Sequence, residues 1–101
     1  MYTNNIKLEW DENKNNANIK VHGIDFSDGW RIFENPMLKK VDNRKDYGEE
    51  RWIGLGKLDT AVIVIVYTNR NGVLRIISIR RANRNERQIY KARFEDLKES
   101  D

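Results

Sequence analysis

The groups in this chain that could do chemistry are arginines, lysines, four tyrosines and a single histidine. His22 closes the asparagine-rich stretch "NKNNANIKVH" and stands directly before Gly23. Between Arg80 and Arg93 lie Arg80, Arg81, Arg84, Arg87, Lys91 and Arg93, against Glu86 alone. A hydrolytic metal site needs clustered His, Asp or Glu ligands, and one histidine with scattered carboxylates argues against it. The chain has no cysteine, which excludes a disulfide framework, a thiol nucleophile and thiolate metal ligands. No phosphate-cradling glycine loop or serine-nucleophile motif is present. Cations, one imidazole and phenols do suit RNA cleavage without metal or other cofactor. RNA brings its own nucleophile, the 2′-hydroxyl, so the protein need supply only a proton acceptor, a proton donor and positive charge for the phosphorane.

Each candidate also has a structural reading. His22 is either a proton carrier, a role Lys14 could also take, or a cation favouring the helix C-terminus. Arg51 and Arg75 are either phosphate ligands or rim charges paired with Glu49 or Glu50, and Arg80 is a third candidate phosphate ligand. Arg84, Arg87 and Lys91 share one stripe of the last helix, which, with Arg81, either tracks an RNA backbone or is simply solvated. Glu86 falls on the apolar side of that helix, and capping alone could account for it. Tyr90, Trp30 and Trp52 read as core, although the Tyr90 hydroxyl could reach a site edge. The net charge of +3 is mild, so the local basic patch carries the suggestion of a polyanionic or acidic partner.

Stepping along the chain gives the elements that position these groups. Ile6–Trp10 alternates apolar and polar, as a short first strand does. Asp11 caps a helix to about His22, with Trp10, Ala17 and Val21 as a thin apolar stripe and Gly23 at its left-handed end. A second helix starts at Asp25, presents Trp30 and Phe33, and stops before Asn35-Pro36. Four strands follow: a polar edge strand over 39–45, then 49–57, 61–68 and 73–81. Asn71-Gly72 signals a hairpin, and Leu58-Asp59 a weaker one. Asn83 with Glu86 opens a last helix whose apolar stripe is Ile89, Tyr90, Phe94 and Leu97. The fold class is therefore α+β: a short N-terminal strand, two helices, an antiparallel sheet of about four strands and a C-terminal helix, in one domain over 1–101.

Pairing 68 with 73 and 57 with 60 assigns sheet faces, because opposed residues share one. One face then holds Arg51, Val66 and Arg75, followed by Ile53, Val64 and Ile77, then Leu55, Val62 and Ile79. The other holds Trp52, Ile65 and Ile76, then Gly54, Ile63 and Ser78, then Gly56, Ala61 and Arg80. Arg80 thus stands beside small residues that leave room for a ligand or a helix. A bulge in either hairpin would move these assignments.

The segments "WDENKNNANIKVHGIDF", "IFENP", "GEERWIGLG" and "LRIISIRRANRNERQIY" resemble the BrnT-like toxins of bacterial type II toxin–antitoxin systems. The family pattern runs W-D-x-x-K, an Asn four residues on, H-G-[IV]-x-F, V-F-x-[DN]-P, G-E-x-R-[FWY]-x-x-[IL]-G and [IL]-R-[IV]-I-S-x-R-x-A-x-x-x-E-R-x-x-Y. It is met at Lys14, Asn18, His22, Arg51, Arg75, Arg80, Glu86, Arg87 and Tyr90 among others, across about residues 8 to 91. Val21 departs from it where a lysine commonly precedes the histidine, Gly29 where alanine is usual, and Ile79 where a small residue is.

The resemblance implies a RelE-like ribonuclease toxin fold and metal-independent endoribonuclease activity that inhibits translation. It also implies neutralisation by a cognate antitoxin carrying a ribbon-helix-helix DNA-binding domain, with operator DNA reached only through that antitoxin. No apolar run is long enough for a signal peptide or a membrane span, so a cytoplasmic protein without membrane contact is expected. The competing reading is a module that binds nucleic acid or antitoxin through the same basic surface and cleaves nothing.

Overall fold

The computed structural model describes residues 6–95. Its centre is strand β4 (Ala61–Arg70), where an unbroken apolar run buries every residue from Val62 to Thr68. A strand buried on both faces has to lie inside a sheet, and β4 is the middle of five, in the order β1-β5-β4-β3-β2. The others are β1 (Lys7–Glu9), β2 (Leu38–Val41), β3 (Trp52–Leu58) and β5 (Val73–Arg81). The expected antiparallel set is present, and β1 extends it by pairing parallel to β5. Asn71 and Gly72 have φ of 55° and 89°, the pair of positive values that a two-residue hairpin loop demands. Arg70 and Val73 close that loop, and Leu58 and Ala61 close the other.

Both hairpins thus pair two residues out of the expected register. An even shift preserves the faces of β3 and β4. On β5 they survive only as far as Ile76. A bulge opposite Val66/Tyr67 inserts Ile77, so Ser78 faces Val66 and Arg80 faces Val64, while Ile79 faces Ile65. The placement of Arg80 and Ser78 beside Gly54 and Gly56 is therefore wrong. Arg80 shares a face with Arg75, and Ile79 is fully buried in the opposite layer.

Helices α1 (Glu12–His22) and α2 (Gly29–Phe33), joined through a 3₁₀ turn at Phe26–Asp28, cover that opposite layer. Ile24, Phe26 and Ile32 pack there on Ile63, Ile65, Ile76 and Ile79. The small residues of β3 make room for this layer and not for a ligand: a Cβ on Gly54 would run into the Met37 sulfur, and one on Gly56 would lie 3.2 Å from Ile32 Cγ2. Gly29 is explained in the same way, since a Cβ there would sit 2.6 Å from Ile76 Cδ1. The second helix is split, because Asp25 caps the 3₁₀ turn through Ser27 N–H and α2 begins only at Gly29. Trp30 then points to solvent at 49 % exposure, against expectation, and Ile32 takes the core position.

Helix α1 has its expected ends. The Asp11 carboxylate accepts from the Asn13 and Lys14 N–H groups, and Gly23 has φ 71°. Its expected apolar stripe does not exist: Ala17 is exposed and Val21 is 72 % exposed. The buried residues of the helix are Asn15 and Asn18. Asn15 donates to the Asp25 carboxylate and accepts from Phe26 N–H. Asn18 donates to the carbonyls of Ile24 (3.0 Å) and Ile79 (2.8 Å) and accepts from Ile79 N–H (3.2 Å). The helix docks by hydrogen bonds where apolar packing was expected.

Helix α3 (Arg84–Phe94) lies on the other sheet face with the anticipated capping box at Asn83 and Glu86. Tyr90 and Phe94 pack on Val62, Val64 and Ala82. Ile89, expected in that stripe, is 47 % exposed. Leu97 lies outside the described residues.

Asn18→Leu keeps the volume and removes all three hydrogen bonds, stranding an N–H and two carbonyls in the interior. A loss of about 3 kcal/mol and a fall in Tm of roughly 10–20 °C are expected in thermal unfolding. A shift below about 3 °C would show that α1 docks by other means.

Candidate functional site

The sheet face that α3 only partly covers carries residues in rows across the strands. Pairing places Lys40, Ile53, Val66 and Ser78 in one row, and Leu38, Leu55, Val64 and Arg80 in the next. Toward the hairpin end, Arg75 faces Thr68 on one side and Glu9 on the other, and Asp42 N–H donates to the Arg51 carbonyl in continuation of the same pattern. Successive rows on one face stand roughly 6–7 Å apart. Arg51, Arg75 and Arg80 therefore project from a single face, with Lys40 beside them. The bulge after Val66 is what brings Arg80 there.

The cations are held by carboxylates. Arg80 Nη1 and Nη2 donate to the two Glu86 oxygens at 2.9 Å each, a planar two-point pair. Glu86 Oε1 also accepts from Asn83 N–H, so the helix cap orients the arginine. These hydrogen bonds, from Arg80 first, hold the Glu86 carboxyl below its ordinary range, and Glu86 in turn raises Arg80. Asp42 has no exposed side-chain surface and accepts from Arg44 Nε and Nη2 at 2.8 Å, from Arg44 N–H and from the Tyr47 hydroxyl. Its carboxyl is held far below the ordinary range, chiefly by Arg44. The Arg51 guanidinium lies 3.9 Å from the Tyr47 ring centroid, a cation–π stack. Arg75 pairs with Glu9 at 3.2 Å, and Glu49 pairs with Arg70 and with neither Arg51 nor Arg75. Arg51 Nε and Thr68 Oγ1 are buried without a hydrogen-bond partner. Between these groups runs a groove of about 330 Å³ lined by Lys40, Arg44, Ser78, Arg80 and Glu86 over a floor of Ile53, Val64 and Val66.

The remaining candidates fall elsewhere. Lys14 and His22 flank a separate shallow depression with Val21 and Ile77 on the flank of α1. Arg81 donates to the His22 carbonyl and Arg87 to the Ala82 carbonyl, so both brace helix ends. Arg84 and Lys91 are exposed on α3. Tyr90 is 2 % exposed and its hydroxyl donates to the Pro36 carbonyl, which commits it to the core. Sequence reasoning missed Lys40, Asp42, Arg44 and Tyr47. The alternation of the edge strand could have flagged Lys40, but the ion pair within "DNR" depends on a loop shape that no periodicity reports. Among the described residues no group of three or more His, Asp or Glu side chains is placed to hold a metal ion, and no helix is long and apolar enough to cross a membrane.

A helix-covered, mostly antiparallel sheet that turns an arginine-lined face outward defines a small α+β protein with one basic sheet face. The sequence profile of the family described as "Ribonuclease toxin, BrnT, of type II toxin-antitoxin system" matches residues 10–86, and the chain belongs to that family. RNA is accordingly its substrate class and an antitoxin its partner. No curated protein matches the chain.

The Asp42 carboxylate is favoured in the folded state, so the stability it contributes is complete above its unfolded value of about 3.9 and is lost as pH falls toward the lower folded value. Urea midpoints measured from pH 5 down to pH 2 should fall less steeply in Asp42→Asn than in the parent. Parallel curves would place the acid sensitivity in other carboxylates.

Proposed function

We propose that the chain is a metal-independent endoribonuclease that stops translation by cutting RNA at the arginine-lined sheet face. The observation that carries this reading is the groove in which Arg80, Lys40 and Arg44 meet the Glu86 carboxylate, with Arg75 on the same sheet face two rows away. In the reaction the 2′-oxygen attacks the adjacent phosphorus and the 5′-oxygen leaves. The products are a 2′,3′-cyclic phosphate and a 5′-hydroxyl, and the protein supplies no atom to either. Two negative oxygens develop on the phosphorane, and the Arg80 guanidinium offers them two donors in a plane.

Glu86 is the proton acceptor in this reading. In the free protein Arg80 holds it ionised and weakly basic. A phosphate that draws the Arg80 guanidinium away removes that restraint, so the proton affinity of Glu86 rises when substrate arrives. Lys40, on the edge strand β2, also lines the groove as a cation able to donate toward the leaving oxygen. Exposed Arg84 and Lys91 extend the positive surface along α3 for the RNA backbone, and the same cations suit an acidic segment of the antitoxin. That antitoxin is proposed to carry a ribbon-helix-helix domain through which the complex reaches operator DNA.

Purified protein incubated with RNA in EDTA should yield fragments ending in 2′,3′-cyclic phosphate. Intact RNA would leave the binding-only reading in place. Arg80→Ala is expected to lower kcat/KM by on the order of 10²–10³ with little change in Tm. Glu86→Gln, which preserves the capping box, should lower kcat by on the order of 10².

His22 serves as the control on this assignment, since its side chain lies outside the groove. His22→Gln should keep kcat/KM within about threefold of the parent, well short of the loss that removing a proton carrier brings. A loss of 10² in that variant would move proton transfer to the flank of α1.

A further inference from the structure

The cationic groove does not end at Arg80. Lys40, Ile53, Val64 and Glu86 also line a second hollow of about 230 Å³, whose other walls include Leu38, Leu55 and Ile89. The two hollows are halves of one trough, cationic on one side and apolar on the other. The Arg80–Glu86 pair stands at the border. The apolar half is open to solvent, and Ile89 at its lip is 47 % exposed. Ile89 therefore adds apolar surface to the lip of the hollow that the core does not use.

We propose that the apolar half is a nucleobase pocket, which seats one base of the substrate RNA while the adjoining phosphate lies at Arg80. This rests on the ribonuclease reading and adds to it a determinant of which base is cut beside. Three features select a nucleotide. Arg80 shares its row with Val64 and Leu55, so the trough changes from cationic to apolar across neighbouring strands, roughly 5–10 Å, the scale on which a nucleotide changes from phosphate to base. The apolar hollow is smaller than the about 300–1,000 Å³ of sites that take drug-sized ligands, so it holds one planar ring system and not a helix. The walls from Leu38, Leu55, Val64 and Ile89 offer apolar surface to a ring, and Lys39, which also lines the hollow, supplies a donor for its edge. A donor that only some base edges can meet makes the pocket discriminate among bases in place of merely stacking them.

The test compares nucleoside 5′-monophosphates with ribose 5-phosphate, titrated into the isotope-labelled wild-type protein and followed by methyl NMR. At least one nucleotide should shift the Leu38, Leu55 and Ile89 methyl signals and bind on the order of tenfold more tightly than ribose 5-phosphate, which lacks the base. Ile89→Asn should abolish that difference without altering ribose 5-phosphate binding or Tm, and Ile89→Leu should restore it. Equal binding of the nucleotides and ribose 5-phosphate would overturn the proposal. So would nucleotide shifts confined to other surfaces, or an Ile89→Asn variant that still prefers nucleotides. If Ile89→Asn instead loses only its affinity for the antitoxin, the hollow is a protein-docking site and the proposal also fails. Cleavage of RNA in EDTA at unchanged positions by Ile89→Asn would remove the base pocket and leave the ribonuclease reading standing. Absence of cleavage by the wild type would remove that reading by itself.

Discussion

The structure depends on the two-sided amide of Asn18. Among the described residues, no strand lies beside β5 on its outer edge past residue 75, since β1 pairs only with Val73–Arg75. An open edge exposes unpaired backbone groups, and a bulge exposes more. Asn18 meets both Ile79 N–H and Ile79 C=O, in effect acting as one residue of a missing strand. Its third bond, to the Ile24 carbonyl, ties the chain leaving α1 to the same point. A side chain with both a donor and an acceptor is needed here. Aspartate would bring a buried charge and no donor, and leucine would bring neither. This accounts for the asparagine-loaded helix and for its near lack of an apolar face.

The consequence reaches the site through the bulge. Ile79 held at this edge is buried between the sheet and the helices, which sends its neighbours Ser78 and Arg80 to the opposite face. Without the extra residue Ile77, Arg80 would point at Gly54 and Gly56, a space already filled by Met37 and Ile32. The core and the arginine face thus compete for alternate residues of one strand, and the bulge lets both be satisfied. Asn18 pins the register in which that happens. The hydrogen bond that docks α1 and the placement of Arg80 are one constraint seen from two sides.

The legible parts of the sequence were those governed by local rules. Both caps of α1, the hairpin at Asn71-Gly72, the capping box at Asn83 and the extent of β5 follow from residue types within a few positions of one another. The convergence of Arg51 and Arg75 was legible too, because an even register shift leaves a face unchanged. Arg80 was misplaced because a bulge is a decision between two strands, settled here by the burial of Ile79 against residues far along the chain. The apolar stripe assigned to α1 failed for a related reason. Period-counting assumes that helices dock by burying apolar side chains, and this one docks through amides. Lys40, Arg44 and Tyr47 went unseen because their meaning comes from one buried carboxylate, Asp42, and from strand pairing with β3.

The pattern of pairing on the arginine face also bears on how such a site stays usable. Arg80, Arg75, Arg44 and Arg70 each rest on a carboxylate, and Arg51 rests on an aromatic ring. Most of these contacts are partly exposed. Pairs of that kind contribute only about 0.2–1 kcal/mol, because water and salt screen them. They suffice to hold five guanidinium groups in defined directions and to keep like charges from driving one another off the sheet. They are weak enough to be exchanged for a phosphate, which offers more acceptor oxygens and greater charge. Asp42 is the exception. With its side chain wholly covered and four hydrogen bonds directed at it, its attachment to Arg44 and Tyr47 is structural, and it fixes the loop that carries the Arg51 stacking ring. The face therefore combines one rigid anchor with several exchangeable ion pairs, so the arginines can change partners while the sheet beneath them stays fixed.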